Sequence, residues 1–518
     1  MNHVPLLSLL TFTPLIGAGL VLIVGRVRND LAKGIAFSVS ALGLALTCLL
    51  WKEFDSRSGS LQFVEMRHWV PALGVDYYVG VDGLGLLMVM LTALVVPMAL
   101  LASWRIEERV PLYFSLVLFL QAGLFGTFTA QNFFHWFIFW ELSLVPAFFL
   151  IRLWGGPGRS AAATQFFVYT MVGSVAMLLA FLAIALTTHT FDFARLAELG
   201  RNGALIPALA DQLLWRDLTT RRLALLLFGA AFLGFAVKVP TVPFHTWLPS
   251  AYAEAPCGTT MLLTGLMSKM GVYGFLRILV PIFPQEMRWA STTLLCLAVA
   301  TIIFSAGAAF AQRDLKRMLA YSSINHLGYC LLGIFAVMGS NGLAAAPLVE
   351  KTAALNGVFL QMFNHGLTAA TLFWFVGFLE ERGRGLRGLE DFGGLRKVAP
   401  VFCGLMGIAL FASLGLPGLN GFVGEFLIFK GVFALAPGMA ALSVLGLLIT
   451  AVFILTLLQR VFNGPLNPKW TTLSDLTLRE RVVVGPALAL MLLLGVYPQA
   501  VLGVVNSTVV QMVQFLRF

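Results

Sequence analysis

Four ionisable residues lie inside long apolar stretches of this sequence, and proton transfer is the chemistry that such residues can perform. They are Glu141, Lys238, Lys269 and Glu425. A charge at the centre of a membrane helix costs about 2.5–3.5 kcal/mol on insertion scales, so chains keep few of them without a use. A single buried ion pair between Glu141 and Lys238 would only join two helices. Four such groups on four separate stretches favour a proton path instead.

Three histidines add groups that titrate near neutral pH to the same apolar regions. His245 follows Lys238 closely, whereas His326 and His365 each have polar residues three or four positions away. Positions at that spacing share one face of a helix. A lone histidine in a helix is more often a packing residue, but these three accompany four charged residues. We therefore interpret His245, His326 and His365 as candidate proton-relay residues.

The segment around Lys238, FAVKVPTVPFHTWLP, interrupts its own helix. Pro240 and Pro243 follow the lysine directly, and proline removes a backbone donor and clashes with the preceding turn. Broken helices at membrane depth are tolerated where protein or water satisfies the freed backbone groups. Pro417 and nearby glycines interrupt the stretch before Glu425 in the same way. Two interruptions in corresponding positions of two halves indicate a transport site.

The elements that must position these residues are membrane-spanning helices. The chain has 518 residues, of which 59% are hydrophobic and only 11% are charged. Soluble domains have roughly 25% charged residues. Apolar stretches long enough to span a bilayer number about 14. The sequence therefore predicts an all-α polytopic membrane protein in which residues 1–518 form a single transmembrane domain.

The positions of the two interruptions predict an internal repeat. They fall in the seventh and twelfth predicted spans, so these two helices are discontinuous, and an odd number of helices in each repeat makes the repeats inverted. We predict two five-helix repeats flanked by further helices. The predicted parts are 1–110 with helices 1–3, 111–280 with helices 4–8, 289–461 with helices 9–13, and 482–518 with helix 14.

The basic residues and the cysteines exclude several functional classes. The net charge of +10 is spread over short loops and forms no basic arm, so we expect no nucleic-acid partner. Lys and Arg collect in the loops on one side of the predicted membrane, as cytoplasmic loops do, so both termini should face away from the cytoplasm. The five cysteines have no metal-binding spacing, and phosphate loops and nucleophile motifs are lacking. We therefore expect no cofactor and no metal in this chain.

Five segments carry a resemblance to known proteins over nearly the whole chain. They are FAVKVPTVPFHTWLPSAYAEAP (235–256), GLMSKMGVYGFLR (265–277), QRDLKRMLAYSSINHLGY (312–329), FNHGLTAATLF (363–373) and GLPGLNGFVGEF (415–426). In this order they resemble the antiporter-like membrane subunits of respiratory complex I (NADH:quinone oxidoreductase), which are related to Mrp-type cation/proton antiporter subunits. Within that family, glutamate at the second interruption is typical of the M type, so Glu425 indicates that type.

The resemblance implies a proton pump driven by quinone reduction in a distant part of a complex. It implies that Lys238 is the central proton carrier, that Glu141 modulates its pKa, and that Lys269 is the next station. The remaining residues would lead towards the exit or line the connection near the broken helix: His326, His365 and Glu425 for the exit, and His245 for the connection. NADH or ferredoxin, flavin, iron–sulfur clusters and quinone would be bound by other subunits.

The resemblance also implies the surroundings of the chain. Its partners would be lipids and the L-, N- and K-type membrane subunits of a hetero-oligomer. The membrane would be a bacterial inner membrane or a thylakoid.

Alternatives stay open at this point. A Mrp-type Na⁺/H⁺ antiporter subunit shares the fold and most of the charges, but a sodium path prefers oxygen ligands, and the apolar stretches hold few spare acids. A membrane hydrogenase-like relative and a ferredoxin-fed relative would use the same subunit. A scaffold subunit with inactive charges is disfavoured by the near-full set of ionisable residues.

Overall fold

The computed structural model describes residues 5–71, 74–212, 220–339 and 348–516. In these ranges, 12 helices are long and apolar enough to cross a membrane, and one bent pair of helices passes the same test together. The shorter helices Pro400–Leu414 and Asn420–Leu435 lie on either side of an interruption and are not part of this count. The prediction of an all-α polytopic membrane protein is confirmed.

The elements follow one another along the chain with short connections. The first are α1 (Leu6–Val24), α2 (Asn29–Glu53), β1 (Gln62–Val70), β2 (Val75–Val81), α3 (Gly83–Ala102), α4 (Val110–Thr129), α5 (Phe133–Trp154), α6 (Arg159–Thr188), α7 (Phe193–Arg201), α8 (Pro207–Gln212), α9 (Thr220–Lys238) and α10 (Trp247–Glu254). The rest are α11 (Cys257–Ile282), α12 (Pro284–Trp289), α13 (Ser291–Ala311), α14 (Leu315–Gly339), α15 (Leu348–Arg382), α16 (Pro400–Leu414), α17 (Asn420–Leu435), α18 (Pro437–Val461), α19 (Leu478–Val496) and α20 (Gln499–Phe515).

A β-hairpin joins α2 to α3, in a connection that the sequence analysis leaves unassigned. Its strands pair antiparallel, with Gln62 opposite Val81 and Val70 opposite Val75. Asp82 follows β2 directly and accepts a hydrogen bond from a backbone N–H in the first turn of α3. A side-chain acceptor at this position satisfies a donor that the helix leaves free. The hairpin therefore ends where the third span begins.

Both predicted interruptions coincide with breaks between helices. The helix α9 ends at Lys238, and α10 begins nine residues later at Trp247. The helix α16 ends at Leu414, after which Gly415 has φ +79° and α17 begins at Asn420. A left-handed residue after a helix is most often glycine because glycine has no Cβ to clash. The arrangement of the spans as two inverted repeats, and the domain boundaries drawn from it, stay predictions.

The C-terminal span differs from the single helix predicted over 482–518. The helices α19 and α20 meet at an angle of 65°. Two residues separate them, Tyr497 and Pro498, and Tyr497 has φ −128° and ψ 68°. A residue before proline is driven out of the helical conformation by the proline ring. The chain therefore bends here, and residues 517 and 518 lie outside the described part.

The depth of burial separates a central group of helices from an outer one. In α11, α14 and α15, 94% of the apolar window is buried inside the protein. The corresponding share is 39% or less in α1, α2, α6 and α18. The outer helices present apolar side chains to lipid or to other membrane proteins. The central helices carry Lys269, His326 and His365 away from the lipid.

Candidate functional site

Lys238 is the last residue of α9, and only 2% of its surface is exposed. Its ammonium lies 4.9 Å from the centre of the Trp140 ring, which is within the range of a cation–π interaction. Glu141 on α5 interacts electrostatically with Lys238, although these two described side chains form no ion pair within 4.0 Å. The Glu141 Oε1 atom is buried without a hydrogen-bond partner. We call Glu141, Lys238 and Trp140 the Lys238 site.

The break after Lys238 frees backbone carbonyls, which nearby groups satisfy. The backbone N–H and the hydroxyl of Thr241 donate to the Ala236 carbonyl at 3.0 and 3.1 Å. The indole N–H of Trp247 donates to the Val237 carbonyl at 3.0 Å. Unsatisfied backbone groups are strongly disfavoured at membrane depth. These bonds therefore fix the end of α9, and with it the position of Lys238.

Lys269 lies in the middle of α11 and is fully buried. A π-helical turn at Leu263–Met267 precedes it, and single turns of this kind are frequent at functional sites. The Lys269 ammonium donates to the Thr264 carbonyl within that turn, and its Nζ lies 3.4 Å from the Ser268 hydroxyl. The same Nζ lies 2.7 Å from Nδ1 of His365. The backbone of α11 thus holds the lysine against α15.

His365 on α15 and His326 on α14 form the next contact. Their ring centres are 5.1 Å apart, with the planes at 37°. Nδ1 of His326 lies 2.8 Å from Oε1 of Glu425, and its Nε2 lies 3.2 Å from the Ser413 hydroxyl. Ser413 and Glu425 flank the second interruption on its two sides. His326 therefore contacts both halves of the broken helix.

Glu425 is buried in the second turn of α17. The Gln361 amide donates to its Oε1 at 3.1 Å. A Cβ atom at Gly424 would lie 2.7 Å from Oε1 of Gln361 and 3.1 Å from its Cα. Small residues let two membrane helices approach closely. Gly424 therefore permits the tight packing of α17 on α15 that brings Glu425 to Gln361 and His326.

Four of the seven predicted residues form one continuous series of contacts. We call it the Lys269–Glu425 chain; its members, in order, are Lys269, His365, His326 and Glu425. Glu141 and Lys238 lie near each other but outside this series. Among the described residues, no hydrogen bond or ion pair joins either of them to the Lys269–Glu425 chain.

His245 lies in the break between α9 and α10 and does not join the other two histidines. Its ring packs 5.2 Å from the Phe304 ring and 6.2 Å from the Tyr321 ring. Its Nδ1 atom is buried without a hydrogen-bond partner. The structure thus surrounds His245 with aromatic side chains on α13 and α14 rather than with members of the Lys269–Glu425 chain.

Sequence reasoning missed two residues that touch the predicted ones. Trp140 covers the Lys238 ammonium, and Ser413 contacts His326. Both carry a local signal, because Trp140 is next to Glu141 and Ser413 ends the helix before the second interruption. A search for polar and aromatic residues beside each buried charge would have found them.

The chemistry open to this arrangement is proton transfer between an amine, two imidazoles and a carboxylate. Each of these groups can hold or release a proton, and neighbouring members lie at hydrogen-bond or ring-contact distance. In the described part of the chain, no group of three or more His, Cys, Asp or Glu side chains is arranged to hold a metal ion. The expectation that the chain binds no cofactor stays a prediction.

The sequence matches a known family over most of its length. The sequence profile of the family described as "NADH:quinone oxidoreductase/Mrp antiporter, TM" matches residues 130–450. The NADH-quinone oxidoreductase subunit M of Rhodobacter capsulatus is 36% identical over 98% of this chain and 96% of its own length. The protein of the same name from Mycobacterium tuberculosis is 35% identical over 98% of this chain and 94% of its own.

Solved structures share the fold. One chain of respiratory complex I from Thermus thermophilus with bound NADH aligns with a TM-score of 0.83 at 28% identity, covering 98% of this chain and 99% of that one. A chain of the Mrp complex from Dietzia sp. DQ12-45-1b aligns with a TM-score of 0.83 at 21% identity over the full length of both, a likeness of fold alone. The chain described here belongs to the NADH:quinone oxidoreductase/Mrp antiporter family of membrane proteins.

Proposed function

We propose that this chain is a proton-translocating membrane-arm subunit of a complex I-type oxidoreductase. The observation that carries the proposal is the continuous contact from Lys269 through His365 and His326 to Glu425 in the buried centre of the protein. The relatives at 35–36% identity are named as subunits of NADH-quinone oxidoreductase. The chain itself would perform no redox chemistry, and its task would be to move protons when quinone is reduced elsewhere in the complex.

Electrostatic repulsion determines how the Lys269–Glu425 chain responds when a proton reaches Lys269. Nζ of Lys269 and Nδ1 of His365 are 2.7 Å apart, a distance at which two positive charges repel strongly in a buried site. A proton that arrives on Lys269 therefore displaces a proton from His365. His326 is the next group to receive that proton, and its Nδ1 lies 2.8 Å from Oε1 of Glu425. Glu425 can then accept and release it.

The Lys238 site would control the supply to this chain. Glu141 and Lys238 interact without direct contact, so a small movement of α5 against α9 changes their attraction steeply. A closer Glu141 holds the proton on Lys238, and a more distant Glu141 lets it go. His245 would line the connection beside the break. In this role the Lys238 site is a switch, and the Lys269–Glu425 chain is the path that it feeds.

The partners and the location follow from the same proposal. The chain would assemble with L-, N- and K-type membrane subunits and lipids. NADH or ferredoxin, flavin, iron–sulfur clusters and quinone would be bound by other subunits. The membrane would be a bacterial inner membrane or a thylakoid, with both termini away from the cytoplasm. Residues 1–4 and 517–518, which include both terminal residues, lie outside the described part.

The experiment that tests the proposal measures proton pumping by the whole purified complex in proteoliposomes. Lys238→Ala is compared with the unmodified complex at matched subunit content and across a series of sodium concentrations. We expect pumping to fall with assembly intact. Lys430→Ala is the matched control, because Lys430 is an exposed lysine on the outside of α17.

Two results would overturn the proposal. Unchanged pumping by the Lys238→Ala complex would make this lysine structural. A loss confined to sodium transport, with proton pumping intact, would favour the Na⁺/H⁺ antiporter instead.

A further inference from the structure

A surface cavity of about 560 Å³ opens between the ends of four helices. It lies where α3 and α15 end and where α11 and α19 begin. The loops next to these ends are among those that the basic residues mark as cytoplasmic. Pockets that hold small ligands have volumes of about 300–1,000 Å³. The cavity therefore has the size of a binding site and lies at the level where the spans meet the lipid headgroups.

The floor of the cavity is apolar and belongs to the membrane-spanning helices. Leu101 on α3, Trp374 and Phe378 on α15, and Val483 on α19 line it. The next residue along α19 towards the cavity mouth, Val482, is exposed. Exposed apolar side chains on a membrane helix face lipid or another membrane protein. The floor thus adjoins an apolar outer surface, so it suits a hydrocarbon chain better than a water-soluble molecule.

Basic side chains lie at the rim of the cavity. Arg105, in the loop after α3, and Arg479, in the first turn of α19, both line it. The ammonium of Lys33 on α2 donates to the Trp104 carbonyl at 2.7 Å, which places a third cation beside the rim. The planar guanidinium group of arginine matches the oxygens of a phosphate group. The rim can therefore bind the phosphate of a headgroup whose hydrocarbon chain occupies the floor.

The three glutamates that also line the cavity already have cationic partners. Each forms an ion pair with a basic side chain: Glu380 with Lys316 at 2.6 Å, Glu381 with Arg105, and Glu480 with Arg382 at 2.7 Å. Among the residues that the structure describes, no carboxylate lies within 4.0 Å of the Arg479 guanidinium. The charge of the lining that has no partner is thus positive, which favours a ligand with a net negative charge.

Trp104 places an amphipathic ring at the same rim. Its side chain lines the cavity and is 40% exposed, and its ring packs edge-on against Phe37 and Phe114. Tryptophan is enriched where membrane proteins cross from hydrocarbon to water, at the level of the lipid headgroups. Trp104 therefore indicates that the rim lies at headgroup level. An apolar floor below a basic rim at this level matches a phospholipid rather than a free phosphate compound.

We propose that this cavity binds one phospholipid with a negatively charged headgroup. The phosphate would lie between Arg105 and Arg479, and an acyl chain would lie on the floor against Trp374. The bound lipid would join the cytoplasmic ends of α3 and α19 over α15, the helix that carries His365. The inference goes beyond the proposed function and does not rest on it, because lipid binding requires no proton transfer.

The test locates bound lipid by photochemical labelling of the whole complex. The complex is reconstituted in phosphatidylcholine vesicles that contain a small fraction of phosphatidylglycerol with a photoreactive diazirine in one acyl chain. After irradiation, mass spectrometry of the digested subunit identifies the peptides that carry lipid. We expect label on peptides from the ends of α3 and α15 and from the start of α19. Phosphatidylcholine with the same diazirine should label these peptides far less, because its headgroup has no net charge.

Variants separate the charge of the rim from the space of the cavity. Arg105→Gln and Arg479→Gln should each lower the labelling by phosphatidylglycerol about fivefold, and together about 25-fold, the scale of one basic side chain near anionic lipid. Ala102→Leu keeps both arginines but places a larger side chain in the cavity, so it should also lower the labelling. Arg317→Gln is the matched control, because Arg317 is an exposed arginine of α14 outside the cavity lining. Its labelling should equal that of the unmodified complex.

Three results would refute the lipid site. Peptides without label in the unmodified complex would show that the cavity is closed to lipid, as it would be under a neighbouring subunit. Equal labelling by the two lipids, or by the double arginine variant and the unmodified complex, would show contact with bulk lipid only. Unchanged labelling of Ala102→Leu would place the lipid on the surface outside the cavity. The label is measured without pumping, so each of these results would leave the proposed function standing.

Discussion

Two regions of the protein hold their buried charges in different ways. In the Lys238 site, the lysine and the glutamate interact across space, and an aromatic ring covers the ammonium. In the Lys269–Glu425 chain, each ionisable group contacts the next at hydrogen-bond or ring-contact distance. In the Lys238 site, a movement of the helices would strengthen or weaken one electrostatic interaction. In the Lys269–Glu425 chain, a movement of the helices would only break the series of contacts.

The difference follows from the helices that build each region. Lys238 lies at the end of a broken helix, where proline has removed the next turn and local bonds fix the chain end. Lys269, His365 and His326 lie on central helices that are almost wholly buried. Glu425 lies on the half-buried helix α17, which Gly424 brings close to α15. A site at a helix end can shift with its flanking loop, whereas closely packed helices resist such shifts. We infer that gating belongs to the first region and conduction to the second.

The largest loss of proton pumping is expected from removing the carboxylate at the end of the Lys269–Glu425 chain. Glu425→Gln keeps the shape and the contact with Gln361 but can no longer accept a proton. A positioned proton-transfer group contributes about a hundredfold or more to a rate, so pumping should fall on that scale while the subunit still assembles. The loss is measured as the rate of proton pumping by the complex in proteoliposomes. Retention of more than half the rate would contradict conduction through this glutamate.

A smaller loss of proton pumping is expected when a glutamate of the Lys238 site is changed to glutamine. Glu141→Gln removes a partner that acts beyond contact distance, where an interaction of about 1–2 kcal/mol is typical in a partly polar interior. Pumping should therefore fall about five- to thirtyfold. The same assay, run beside Glu425→Gln, compares the two. A larger loss for Glu141→Gln than for Glu425→Gln would reverse the assignment of gating and conduction.

The smallest effect is expected from a change that loosens the packing around the Lys269–Glu425 chain, and it is a loss of thermal stability. The methyl group of Gly424→Ala would lie 2.7 Å from the Gln361 side chain, so α15 and α17 must separate slightly. Overpacking of this kind costs about 1–3 kcal/mol, and the thermal unfolding midpoint of the complex should fall. Gly407→Ala on α16 is the control, since a Cβ there meets nothing within 4 Å. Equal midpoints for the two variants would show that the close approach is not needed.

The sequence was sufficient to find the charges but not their partners. Lys269 and Glu425 stand out because apolar surroundings make any ionisable residue conspicuous, and the prolines mark the breaks in the backbone. The contact of Lys269 with His365 joins residues 96 positions apart, and it depends on how α11 packs on α15. Spacing along one helix carries no information on such packing between helices. The π-helical turn before Lys269 is equally hidden, because its residues have no distinctive composition.

The connections were harder to predict than the spans. In the hairpin between α2 and α3, the first strand is exposed or half-buried throughout and the second is buried at four of seven positions, so neither shows a clear alternation of buried and exposed residues. The bend between α19 and α20 has a visible cause in Pro498, yet one proline inside a long apolar stretch is compatible with a kinked single helix. Helix length and hydropathy thus predict the number of spans better than their geometry.

The most direct measurement is proton pumping by the complex with Lys269→Met, set against Lys430→Met at equal subunit content. Lys269 is the buried amine at the start of the Lys269–Glu425 chain, whereas Lys430 is exposed on the surface of α17. We expect Lys269→Met to abolish proton translocation through this subunit and Lys430→Met to leave it unchanged. Equal pumping by the two variants would contradict a proton path through the Lys269–Glu425 chain.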